Sequence, residues 1–117
     1  MRPRMLLAAF LVTTLSGVAY ADVRSDAKAQ VEFGIAVAQR GLWKEAIYRW
    51  QRATQIDPSY AAAFNNLAVA YEHEGMLEKA GEAYERALKL EPDNPMVRQN
   101  FELFKEIHDR TNQSQTP

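Results

Sequence analysis

Not one of the 117 residues is a cysteine, which rules out disulfides, thiolate metal sites and a cysteine nucleophile and leaves the redox compartment open. Charge of one sign is not in excess either. Fourteen basic residues face 15 acidic ones, a net charge of −1, so no basic surplus points to a nucleic-acid partner. Histidine occurs only as His73 and His108. His73 stands between Glu72 and Glu74, and consecutive residues of a helix do not face each other, so the three make a poor metal cage. The zinc spacing of two histidines four apart with a glutamate is absent. Glu78, Glu82 and Glu85 recur at helical spacing on what reads as a solvated face, where nothing prepares a carboxylate for acid–base work. The sequence therefore predicts no catalytic residue, no cofactor, no metal and no small-molecule substrate. The expectation is a protein that is not an enzyme.

Long apolar runs are equally scarce, and the longest lies at the start. Met5–Leu15 is apolar over eleven residues except for Thr13 and Thr14. Arg2 and Arg4 precede it, and Ala19-Tyr20-Ala21 follows as a small-x-small site. A basic start, a short apolar run and such a site predict a secretory signal peptide over 1–21, cut before Asp22. The run falls short of the roughly 18 to 20 residues that span a bilayer, which argues against a retained anchor. No cysteine follows it, so no lipoprotein anchor can form. Export is expected, to the periplasm or beyond. Removing Arg2 and Arg4 with the leader leaves 12 basic residues against the 15 acidic ones, a net −3. The remainder, in a chain 47% apolar and 25% charged, has the composition of a soluble globular domain.

What is present in quantity is a helical pattern. From Ala61 to Pro92, Phe64, Leu67, Tyr71, Tyr84 and Leu88 recur at spacings of three and four, which puts each set on one helical face. Small residues (Ala68, Ala70, Ala80, Ala83, Ala87) mark where two helix backbones come close, Gly75 separates the helices, and Pro92 closes the second. Moved back by 34 residues, the pattern repeats. Gly75 falls on Gly41, Ala80 on Ala46, Tyr84 on Trp50, Ala87 on Ala53 and Pro92 on Pro58, while Leu67 falls on Phe33 and Ala68 on Gly34. Trp50 and Tyr84 are thereby predicted to be equivalent core anchors.

Over 27–60 and 61–94 the sequence resembles the tetratricopeptide repeat (TPR) family. The resemblance rests on the 34-residue period, the small residue early in each first helix, the paired small residues of each second helix and the closing proline. It implies an all-α fold, an α-solenoid of two helix-turn-helix repeats. A first helix over Ser25–Arg40 with Ser25 as its cap, and a second over Trp43–Gln55, would make repeat one. Asn94 and Pro95 form a helix start, and the helix from there to Asp109 breaks the pattern because Glu102 takes the small-residue position and Phe104 replaces the equivalent of Ala70. Residues 95–109 are therefore expected to form a capping helix that lays Val97, Phe101 and Phe104 over the end of repeat two. The domain would span 22–109, leaving 110–117 as a polar, disordered tail. Its Asn112-Gln113-Ser114 matches the glycosylation acceptor pattern by chance. Gly81 is an anomaly inside a helix, and Glu82/Arg86 and Glu85/Lys89 are expected to pair across an outer face.

The resemblance also implies a function class. First helices of successive repeats line a concave groove that takes a peptide, and by register this groove holds Val31, Ile35, Asn65, Asn66, Val69, Met96, Gln99 and Leu103. Family members that clamp the acidic tails of heat-shock chaperones set lysines, an arginine and asparagines there. Here Asn66 keeps one asparagine position, while Val31, Met96 and Asn100 stand at basic positions and Ile35 at another asparagine position, which argues against a tail carboxylate. The mixture suits a ligand whose apolar side chains pack on the groove while amides bond its backbone. The expected function is a protein-interaction module in the cell envelope, a scaffold or assembly factor binding a protein or peptide partner. A periplasmic chaperone-like subunit for an extended client remains the alternative, as does a structural protein that assembles with its own copies.

Overall fold

The computed structural model describes residues 15–115. The described residues form five helices and no strand: α1 Leu15–Gln39, α2 Trp43–Ile56, α3 Ala61–His73, α4 Leu77–Leu90 and α5 Pro95–Ser114. Arg2, Arg4 and the apolar run as far as Thr14 lie outside the described residues.

Two glycines set the hairpins. Gly41 and Gly75 have φ of 78° and 73°, a left-handed conformation that side chains with a Cβ resist. Around each, the same pair of hydrogen bonds ends the first helix. Gly41 N–H donates to the Ala38 carbonyl at 2.9 Å and Leu42 N–H to Val37 at 3.0 Å; Gly75 donates to Glu72 at 3.0 Å and Met76 to Tyr71 at 2.8 Å. This is the Schellman pattern, repeated 34 residues apart. The all-α solenoid is thus built as two α-hairpins, α1/α2 and α3/α4, with α2 packed on α3 and α5 on α4.

Each hairpin closes on a large aromatic residue among small ones. Trp50 is 4% and Tyr84 1% exposed, and Ala46, Ala53, Ala80 and Ala87 beside them are wholly buried. Trp50 lies directly on Gly34. A Cβ built there would come within 2.7 Å of indole Cδ1 and Cε2 and nearer still to Nε1, so the small residue of α1 must be glycine. The indole N–H donates to the Val31 carbonyl at 3.0 Å, so the polar end of the ring is satisfied inside the core. In the second hairpin Ala68 takes the glycine's place, and the Tyr84 hydroxyl donates to the Glu72 carboxylate. Burial first, and that neighbouring carboxylate second, push the Tyr84 phenol well above its ordinary value.

α5 caps the second hairpin as the sequence predicts. The Asn94 side chain accepts from Met96 N–H at 3.1 Å and Val97 N–H at 3.3 Å, with Pro95 at the first turn. Val97 and Phe104 are buried, and the Phe104 ring stands 5.5 Å from that of Tyr84. Gly81 faces Phe104. An added Cβ would sit 3.5 Å from its ring, ordinary van der Waals contact. The glycine is therefore not required, and Gly81→Ala should stabilise the fold by about 0.5–1 kcal/mol, read as a higher midpoint in urea.

Three expectations are corrected. α1 does not start at Ser25, which lies inside a helix already formed at Leu15; no proline interrupts 15–39, and the polar run Asp22–Asp26 sits on the helix instead of fraying before it. Residues 110–114 belong to α5 and not to a disordered tail, held by Arg110–Glu106 and Thr111–Ile107 contacts four residues apart. Neither Glu82/Arg86 nor Glu85/Lys89 closes as an ion pair; the Arg86 guanidinium lies 5.6 Å above the Phe64 ring instead. Phe33, register-mate of the buried Leu67, is 47% exposed; among the described residues no helix stands before α1 as α2 stands before α3. The Arg49 guanidinium covers its ring at 4.1 Å.

Among the described residues, one ionic tie crosses between the hairpins. Arg24 of α1 reaches Asp57 in the α2–α3 turn and lies 4.6 Å over the Tyr60 ring. Burial alone would raise the Asp57 carboxyl, but hydrogen bonds from Ser59 and Arg24 and the guanidinium charge outweigh it and hold the carboxyl below the ordinary 3.8. A folded value below the unfolded one gives stability that is present above 3.8 and lost as pH falls through the folded value. Acidification from pH 6 to pH 3 should lower the melting temperature, and Asp57→Asn should make that fall shallower while lowering the melt at pH 6.

Candidate functional site

The concave face is formed by α1, α3 and α5. Of the residues expected to line it, the structure brings Ile35, Asn66 and Val69 together. With Ala38, Gln39, Trp43 and Trp50 they enclose a cleft of about 340 Å³. α1 supplies one wall, α3 the other, and the Trp50 indole the floor. Trp43, the first residue of α2, closes one end by stacking on His73 of α3, with ring centroids 4.1 Å apart and planes at 18°. Ile35 is 41% exposed, and no charged residue lines the cleft. The Asn66 amide makes no hydrogen bond among the described residues.

Other expected site residues fall elsewhere. Val31 is 5% exposed and belongs to the core beneath Trp50, so it is not on the groove surface. Asn65 is buried too, and its carbonyl oxygen accepts from the Asn100 amide at 3.3 Å, tying α3 to α5. Met96, Gln99 and Leu103 are exposed on α5 but do not line the cleft. Ile107 extends their row at the same spacing and is also exposed. Continuing the 34-residue offset past Leu103 would have found it, since Ile107 falls on His73. Trp43 carried no such signal, because groove register is counted on first helices and Trp43 opens a second one.

Among the described residues no group of acidic, histidine or cysteine side chains could hold a metal, and no helix is long and apolar enough to cross a membrane. What the cleft can do is accept an apolar side chain, with one amide beside it able both to donate and to accept.

Two hairpins in register, a third first helix and a cleft between the first helices define an α-solenoid with an apolar cleft on its first-helix face. Family models agree. The TPR repeat model matches residues 34–75 and the tetratricopeptide repeat model residues 61–94. Together they span just over half of the chain, which belongs to the tetratricopeptide repeat family. Its fold is similar to the second TPR domain of human RPAP3, solved in complex with the HSP70 peptide SGPTIEEVD, with a TM-score of 0.65 and 26% identity over 68% of this chain and 67% of that one. The type IV pilus assembly protein PilF of Pseudomonas aeruginosa is 34% identical over 76 residues, 65% of this chain and 30% of that protein. The tomato (Solanum lycopersicum) probable UDP-N-acetylglucosamine–peptide N-acetylglucosaminyltransferase SPINDLY is 37% identical over 59 residues, 50% of this chain but 6% of its own length. The chain thus spans less than a third of either curated relative.

Proposed function

We propose that this protein is a non-enzymatic interaction module of the cell envelope, a scaffold or assembly factor that holds a partner's peptide segment on its concave face. The observation that carries the reading is the cleft itself. Apolar walls and a free amide stand open between the first helices, and Met96, Leu103 and Ile107 stand exposed on α5. A contiguous apolar set on one concave face marks an interaction surface, whereas scattered exposed residues do not. A structural neighbour solved with a peptide supports a peptide ligand, and a relative named for pilus assembly supports an assembly role. The ligand differs in charge from the acidic peptide of that neighbour, because the clamp positions hold Val31, Met96 and Asn100 in place of cations.

Export follows from the leader. The protein recovered from cells should have the intact mass of a chain beginning at Asp22 and should fractionate with the envelope. A full-length species in the cytosol would overturn the envelope part of the reading and leave the groove untouched.

A further inference from the structure

We propose that the cleft between α1 and α3 is an anchor pocket for one bulky apolar side chain of the partner, and that a basic residue flanks that anchor. This rests on the groove reading above and deepens it. A cleft of about 340 Å³ has room for one large side chain between α1 and α3. Ile35 and Val69 supply its walls and Trp43 its end, while Asn66 at the edge offers the donor and acceptor that a peptide backbone needs. Anchors of this kind are most often aromatic and dominate the affinity of the surface around them.

Charge decides the flank. One turn before Ile35 on the same face of α1 stands Glu32, exposed and without an ion-pair partner among the described residues. One turn after Val69 on α3 stands Glu72, already engaged by the Tyr84 hydroxyl. His73 is turned onto Trp43, with Glu74 at 3.8 Å from its Nδ1. Lys28 of α1 lies two turns from Ile35, beyond Glu32. A lysine or arginine next to the anchor meets the exposed Glu32 carboxylate, and an acidic residue there meets repulsion.

Fluorescence anisotropy with four labelled glycine–serine peptides separates the two claims. The peptides carry tryptophan or serine at the centre and lysine or glutamate on both flanks. The tryptophan–lysine peptide should bind about tenfold or more tighter than each of the others. Glu32→Gln should abolish the lysine preference and keep the tryptophan preference, and Val69→Lys should remove the tryptophan preference. The lysine preference should also shrink as salt is raised. Equal binding of tryptophan and serine peptides, or of lysine and glutamate flanks, overturns the proposal. So does failure of all four to bind. The wider groove reading would survive that failure if Ile35→Lys with Val69→Lys still costs the protein its cellular partner.

Discussion

Trp50→Ala should destabilise the domain by about 3–5 kcal/mol, the cost of truncating a large buried aromatic side chain. The residue is 4% exposed, and its ring fills the space that Gly34 leaves on α1, so truncation opens a void between two backbones brought close for that ring alone. Collapse around the void is limited, because Ala46 and Ala53 on either side have no further side chain to extend. A loss of that size is a large share of the roughly 5–15 kcal/mol that small domains possess. Thermal unfolding followed by circular dichroism should move down by more than about 12 °C, or the variant should fail to fold. Tyr84→Ala should behave alike, since it is 1% exposed and packs against Phe101 and Phe104 with ring centroids 5.7 and 5.5 Å away. Gly34→Ala should also destabilise, by driving a methyl group into the indole, where Gly81→Ala does the opposite. Tyr48→Ala, at a position 51% exposed, serves as the control and should stay within about 0.5 kcal/mol. Melting temperatures unchanged in both Trp50 and Tyr84 variants would contradict the two-anchor account.

Ile35→Lys combined with Val69→Lys should abolish partner capture while leaving helical content and melting nearly unaltered. Ile35 is 41% exposed and Val69 half-buried, so lysines there can keep their ammonium groups in water and lay their stems along the cleft. The cleft they face has no charged lining, and two cations at its mouth would repel the proposed basic flank and block the anchor together. Loss of helix in the double variant would show that these side chains serve the core.

The repeat was legible because its constraints are local and recur. Gly41 and Gly75 must be glycine-like for a left-handed turn, and the alanines around Trp50 and Tyr84 must be small for helices to approach, so both show at a fixed offset. The cap was legible for the same reason, from Asn94 and Pro95. Groove exposure was harder. Val31 and Asn65 share a register position, yet both are buried, one beneath Trp50 and one against Asn100, because contacts made by neighbouring helices decide how far a helix face opens. Trp43 was missed because its role depends on a stack with His73 across 30 residues of sequence, which no period encodes. Gly34 was matched to Ala68 simply as a small residue. That it must be glycine became evident only from the indole lying on it.

The concave face is tested most directly by placing a photo-crosslinking amino acid at Leu103 or Gln39 and, in a second protein, at Tyr48 on the opposite side. Irradiated in living cells, the Leu103 and Gln39 proteins should yield a discrete adduct with one partner in the envelope fraction, and the Tyr48 protein none. Adducts from Tyr48 alone would contradict the account and move the docking surface to the side that carries Arg49 and Arg52.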